Sequence, residues 1–235
     1  MNTNDAQTLS RKERERLFKQ REIVEAAREV FALRGFSAAT LDEIADKAEF
    51  SKGTLYNYFE SKEEIFETVI ADAVDDFVDV ATRTCTDPGR SLRESYVDFA
   101  RQLLRLMFAN FSIYGLMMRE FHKMEANTHL ATLFPNLLII LADPLKRAMG
   151  EDRIDAFPPE QTAMMFLSMV FSLFKSSMHM YHGDVMTEPR IHTALTGTQV
   201  EAEIDKAVHV LERVFFCGIL ARESDEDKHR CFIQS

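Results

Sequence analysis

Two groups of side chains in this sequence have types and spacings that could do chemistry. His179 and His182 stand three residues apart with Asp184 close behind, and His122 and Glu125 repeat the spacing. On a helix each pair shares a face, but zinc takes three or four converging ligands, so these read as solvated histidines and no metal is expected. No nucleophile–base–acid arrangement, GxG-type phosphate loop or GxSxG motif is present, so neither an enzyme nor a cofactor is expected. The second group lies in Thr40 to Phe59, TLDEIADKAEFSKGTLYNYF. Ser51-Lys52-Gly53 is poor helix-interior material if packing were its only purpose. Tyr56 and Tyr58, two residues apart, cannot both face one core.

The elements that position this run are helices. Leu41, Ile44, Ala45 and Ala48 make one short amphipathic helix, three residues of turn follow, and Ser51 caps a second with Leu55, Phe59 and part of Tyr58 inward. So tight a turn forces a steep crossing, and a third helix, 14–34, must cover both apolar faces. Its stripe is Ile23, Ala26, Ala27, Val30 and Phe31; Gly35 ends it, with Phe36 as the apolar residue folding back. Ser or Thr followed three residues later by Glu marks helix starts at Ser10/Glu13, Thr40/Glu43, Ser61/Glu64, Ser91/Glu94 and Thr198/Glu201. Ile65 to Ala81 forms a long helix whose other face carries Asp72, Asp75, Asp76 and Asp79. Further helices are expected near 91–110, 112–125, 129–149, 159–182 and 198–222, with Pro135 and Pro144 kinking or dividing the third of these. Gly183 to Gly197 reads as a loop. The fold class is all-α.

The pattern Thr40, Ile44, Ala45, Ala48, Ser51, Gly53, Leu55, Tyr56, Tyr58, Phe59, Ser61 and Lys62, with the upstream EAAREVFALRGF of Glu25–Phe36, resembles the TetR/AcrR family of one-component transcriptional regulators. The resemblance spans residues 20–66; beyond it only length and helical character correspond. It implies a DNA-binding helix-turn-helix in which Thr40 binds a backbone phosphate through its hydroxyl and N–H, and Tyr56, Tyr58 and Lys62 make further phosphate contacts. Lys52, Gly53, Thr54 and Asn57 would face the bases, with Ser51 capping their helix. Two positions depart from the family's pattern: Glu49 stands where glycine is usual in the turn and Phe50 where a smaller valine is usual.

Composition adds the setting. The 235 residues include 28 Lys+Arg and 38 Asp+Glu, a net charge of −10, which argues against a uniformly basic surface. Divided at 62/63, the N-terminal part carries 11 charges of each sign and the whole acidic excess lies in 63–235. Arg11, Lys12, Arg14, Arg16, Lys19 and Arg21 outnumber Glu13 and Glu15, and could follow phosphates as an arm. Three scattered cysteines and no apolar leader or 20-residue span point to a cytoplasmic protein without a membrane segment. The domains expected are 1–62, arm and helix-turn-helix, and 63–235, effector binding and dimerisation, with a frayed tail at 223–235.

Many of the 12 Met and 19 Phe cluster after residue 105, as suits an adaptable apolar cavity. With the resemblance, this implies a small, largely apolar effector lined by Tyr114, Met117, Met118, Phe121, Leu138, Met165, Met169 and Phe174, His122 orienting it. The helix 159–182, apolar nearly all round, and 198–222 are candidates for a homodimer bundle. Such a dimer would set two recognition helices on a palindromic operator in double-stranded DNA, with repression relieved by the effector. The alternative is a dimeric ligand-binding or scaffold protein without a DNA role.

Overall fold

The computed structural model describes residues 10–111, 113–115, 130–150, 158–182 and 196–219, and among these the regular structure is entirely helical. The elements are α1 (Arg11–Ala38), α2 (Leu41–Lys47), α3 (Lys52–Tyr56), α4 (Lys62–Cys85), α5 (Leu92–Ala109), α6 (Leu130–Gly150), α7 (Pro159–His182) and α8 (Gly197–Leu211), which runs on as a π-helical segment Glu212–Ile219. The chain divides into two compact units at Ile70/Ala71, inside α4.

In the first unit the apolar stripe of α1 is buried as its spacing requires: Ile23, Ala27 and Phe31 have no exposed surface, and Ile44, Leu55, Phe59, Ile65 and Phe66 close the core around them. The first helix of α1 is interrupted at Gly35, where the sequence places its end, and a further helical turn runs beyond it to Ala38. Gly35 itself is non-helical, with φ 75° and ψ 164°, a region only glycine enters without strain. The kink turns Phe36 onto Phe66, ring centroids 4.6 Å apart, and within 5.8 Å of Phe31. Reciprocal caps form at Ser10/Glu13 and Thr40/Glu43. At Ser61 only half the box exists: Glu64 N–H donates to Ser61 Oγ at 3.1 Å, while the Glu64 carboxylate accepts from the Glu60 N–H instead.

In the second unit, Tyr96 on α5, Phe166 on α7 and Phe215 in the π-helical segment form the centre of the core, with centroids 4.3 Å (Tyr96–Phe166) and 4.9 Å (Phe166–Phe215) apart. Tyr96 donates its phenol to the Leu141 carbonyl at 2.7 Å, so the buried hydroxyl is satisfied. Cys85 is buried at the end of α4, and desolvation pushes its thiol up to about 11. The Ser91/Glu94 cap forms. The start expected at Thr198 is corrected to Thr196, whose box partner is Gln199; Glu201 is instead held by both nitrogens of the Arg105 fork at 2.8 Å. Pro135 and Pro144 do not divide their segment: α6 runs as one helix through both. Burial of Leu137, Leu141 and Leu145 along one side holds it together where the prolines remove donors.

Candidate nucleic-acid interface

The turn between α2 and α3 follows from how α2 ends. Phe50 N–H donates to the Ala45 carbonyl at 2.9 Å and Glu49 N–H to Asp46 at 3.2 Å, the paired bonds of a Schellman motif. That motif needs a left-handed residue between them, and Glu49 supplies it at φ 57°. Ser51 then starts α3, its Oγ accepting from Thr54 N–H at 3.1 Å and lying 2.8 Å from the Thr54 hydroxyl. Leu55 and Phe59 anchor α3 inward at 1% and 3% exposure.

The opposite face is open. Ser51, Lys52, Gly53, Tyr56 and Asn57 are exposed, Thr54, Tyr58 and Lys62 half-buried, and Thr40 exposed at the start of α2. The nine candidate DNA contacts therefore lie at the cap of α2, along α3 and its two flanks and at the start of α4, outside the core. A Cβ added to Gly53 would meet only Ser51 Oγ at 3.8 Å, and its φ is not positive. Nothing inside the protein requires a glycine there.

Besides Ser51 and Thr54, which bond to each other, three of the groups expected to meet DNA have internal partners. Thr40 N–H and hydroxyl donate to the Glu43 carboxylate at 2.9 and 3.1 Å, so a carboxylate stands where the resemblance places a phosphate oxygen. Those bonds, the backbone one foremost, lower the Glu43 pKa, and Arg34 adds to the effect from 3.3 Å. Lys62 donates to the carbonyls of Phe36 and Ala39, each at 2.9 Å, and lies over the Phe36 ring at 4.6 Å. Two of its three protons thus fasten α4 to the end of α1, leaving one to give away. Lys52 donates to Asp42 at 2.9 Å. The Glu43 partner follows from local spacing, but those of Lys52 and Lys62 do not: Asp42, Phe36 and Ala39 are 10 to 26 residues away, and only the fold brings them near.

Along α1, residues 11–18 are exposed, as is Arg21. Lys19 pairs with Glu15 at 3.1 Å, while no described carboxylate lies within ion-pairing distance of Arg11, Lys12, Arg14, Arg16 or Arg21. The hydrogen bond from Lys19 to Glu15 raises the lysine pKa.

The candidate effector residues are less united. Tyr114 is buried and stacked on Phe77 at 5.1 Å; Phe174 is buried against Phe108 at 5.1 Å and Phe111 at 6.4 Å. Leu138 and Met169 are half-buried, and Met165 is 40% exposed beside the similarly exposed Met164. Met117, Met118, Phe121 and His122 lie outside the described residues, as do Glu125 and Asp184. A cleft of about 230 Å³ between α4 and α5 is lined by Asp76, Asp79, Val80, Arg83, Gln102, Arg105 and Leu106, none of them in that set. No described helix is long and apolar enough to cross a membrane.

The family model for bacterial regulatory proteins of the tetR family matches residues 23–69. The transcriptional activator FasR of Mycolicibacterium smegmatis is 45% identical over 94 residues, 36% of this chain and 43% of that protein. The transcriptional repressor KstR2 of the same species is 43% identical over 54 residues, 23% of this chain and 26% of that protein. The chain thus matches less than half the length of these curated relatives. In fold it resembles the transcriptional regulator FadR of Bacillus subtilis, solved in complex with stearoyl-CoA: TM-score 0.62 at 16% identity, covering 81% of this chain and 96% of that one.

Proposed function

Because the chain belongs to the TetR family of bacterial regulatory proteins, we propose that it is a homodimeric transcriptional repressor that binds a palindromic operator and is released by a small, largely apolar effector. The observation that carries the DNA-binding part is Gly53. A glycine is less favourable than alanine in a helix, by about 0.5–1 kcal/mol in the interior. It is unexplained by packing or backbone here. A surface that must approach the floor of a groove explains it, since any side chain would hold α3 away. Lys52 and Asn57 flank it with donors and acceptors for base edges, and the unpaired cations of α1 supply phosphate contacts.

Dimerisation supports two-fold recognition, because paired recognition helices need half-sites about 34–36 Å apart. The exposed Met164 and Met165 on α7, with Val210 on α8 and Val214 just beyond it, form the apolar surface we assign to the second subunit. Effector binding in the second unit would bias α4, the helix common to both units, toward a state that holds the operator less tightly. Stearate, the apolar acyl part of the stearoyl-CoA with which FadR was solved, is the first probe to try. A second reading, activation, is favoured by the activator FasR among the relatives; a promoter–reporter fusion distinguishes the two by the sign of the response.

The test is Gly53→Ala. It is expected to raise thermal stability while weakening binding to duplexes that the wild-type protein selects from a randomised library, read by fluorescence anisotropy. Higher stability with undiminished DNA affinity would remove the argument.

A further inference from the structure

Lys52 and Asp42 meet across two helices. Lys52 opens α3, Asp42 lies in the first turn of α2, and their hydrogen-bonded ion pair spans 2.9 Å. Both side chains are open to solvent, at 47% and 66% exposure, so burial does not impose the pair. Exposed pairs of this kind add little to folding stability. The pair's consequence lies in what the surface binds. We propose that Asp42 is a specificity-determining positioning residue of the DNA-reading face, holding the Lys52 ammonium beside α2 so that it reads a base edge instead of capturing any phosphate. The proposal rests on the DNA-binding reading of Gly53 and its neighbours.

A lysine on such a surface can meet DNA either unpaired or already held by a carboxylate. Unpaired, it neutralises phosphates of every sequence alike and strengthens binding through counterion release. Paired with a carboxylate it presents no net charge to the backbone, so that nonspecific gain is lost. Its ammonium keeps two protons after one is given to Asp42. Those two can still serve guanine O6 and N7, from a position the carboxylate has fixed. Discrimination therefore comes from weakening the wrong complexes more than the right one.

The experiment is a double-mutant cycle on the full chain. Wild type, Asp42→Asn, Lys52→Gln and the double variant are titrated with a duplex selected from a randomised library by wild type, and with poly(dI·dC) as nonspecific probe, across a salt series. Asp42→Asn is expected to tighten nonspecific binding roughly fivefold to tenfold and steepen its salt slope by about one. It should tighten the selected duplex less, so the specificity ratio falls. In the Lys52→Gln background the same change should leave the ratio where it was, and Asp42→Glu should retain the wild-type ratio. Equal tightening of both probes overturns the proposal, as does an undiminished effect in the Lys52→Gln background, which would report only the loss of a negative charge near DNA. Failure of wild type to enrich any duplex over the starting library is a different result: it overturns the DNA-binding reading, and this inference with it.

Discussion

Glu49 and Gly35 pose the same backbone question and answer it with different residues. Both have positive φ, 57° and 75°, and both turn the chain after a helical stretch. Gly35 adopts its conformation without a Cβ to strain. Glu49 places a Cβ in the left-handed region, which costs about 1–2 kcal/mol for an L-residue. Glu49→Gly is therefore expected to stabilise the protein by about 1 kcal/mol, after allowance for the greater freedom of glycine in the unfolded chain. Urea denaturation checks it, and an unchanged or lowered midpoint would contradict the account of this turn. Phe50 fits the motif for a reason of its own: it is the residue after the left-handed one, a position that favours an apolar side chain, and it is half-buried there.

At the scale of elements, α8 shows how tertiary contacts choose between equivalent local signals. Thr196/Gln199 and Thr198/Glu201 both satisfy the pattern of a reciprocal cap. Glu201 is committed to Arg105, in a row of ion pairs that also joins Arg101 to Asp205 and Arg93 to Glu212 between α5 and the α8 segment. The cap therefore falls to Thr196, two residues earlier. Thr196→Ala should cost about 1 kcal/mol, the usual worth of an N-cap hydroxyl, and Thr198→Ala only a few tenths. Matched denaturation curves of the two variants decide it, and the reverse order would return the cap to Thr198. The pattern at Ser61 behaves similarly, since Glu64 can reach the backbone of Glu60 as well as that of Ser61.

For the whole molecule the relevant quantities are charge and the surface left apolar. The net charge of −10 belongs entirely to residues 63–235, while residues 1–62 are neutral and include a run from Arg11 to Arg21 with six cations and two carboxylates. An overall acidic protein can thus present a locally basic surface to DNA. Met165 and Val214, 40% and 48% exposed, are the apolar residues whose change should report on assembly. Met165→Glu with Val214→Glu is expected to shift the proposed dimer to monomer in sedimentation, and to lower operator affinity as the second half-site is lost. A dimer that survives both charges would move the interface elsewhere.

Local rules carried the sequence far. Apolar periodicity placed the helices of the first unit, three reciprocal caps formed where hydroxyl and carboxylate spacing put them, and Ser51 began α3 for the same reason. These features depend on residues three or four apart, whose separation a helix fixes. Tertiary structure decided what depends on residues that only folding brings together. It gave Lys62 to the carbonyls of α1, Lys52 to Asp42 and Glu201 to Arg105, and it kept α6 continuous through two prolines. A charged side chain chooses among all partners within reach, and reach is a property of the folded chain rather than of its order.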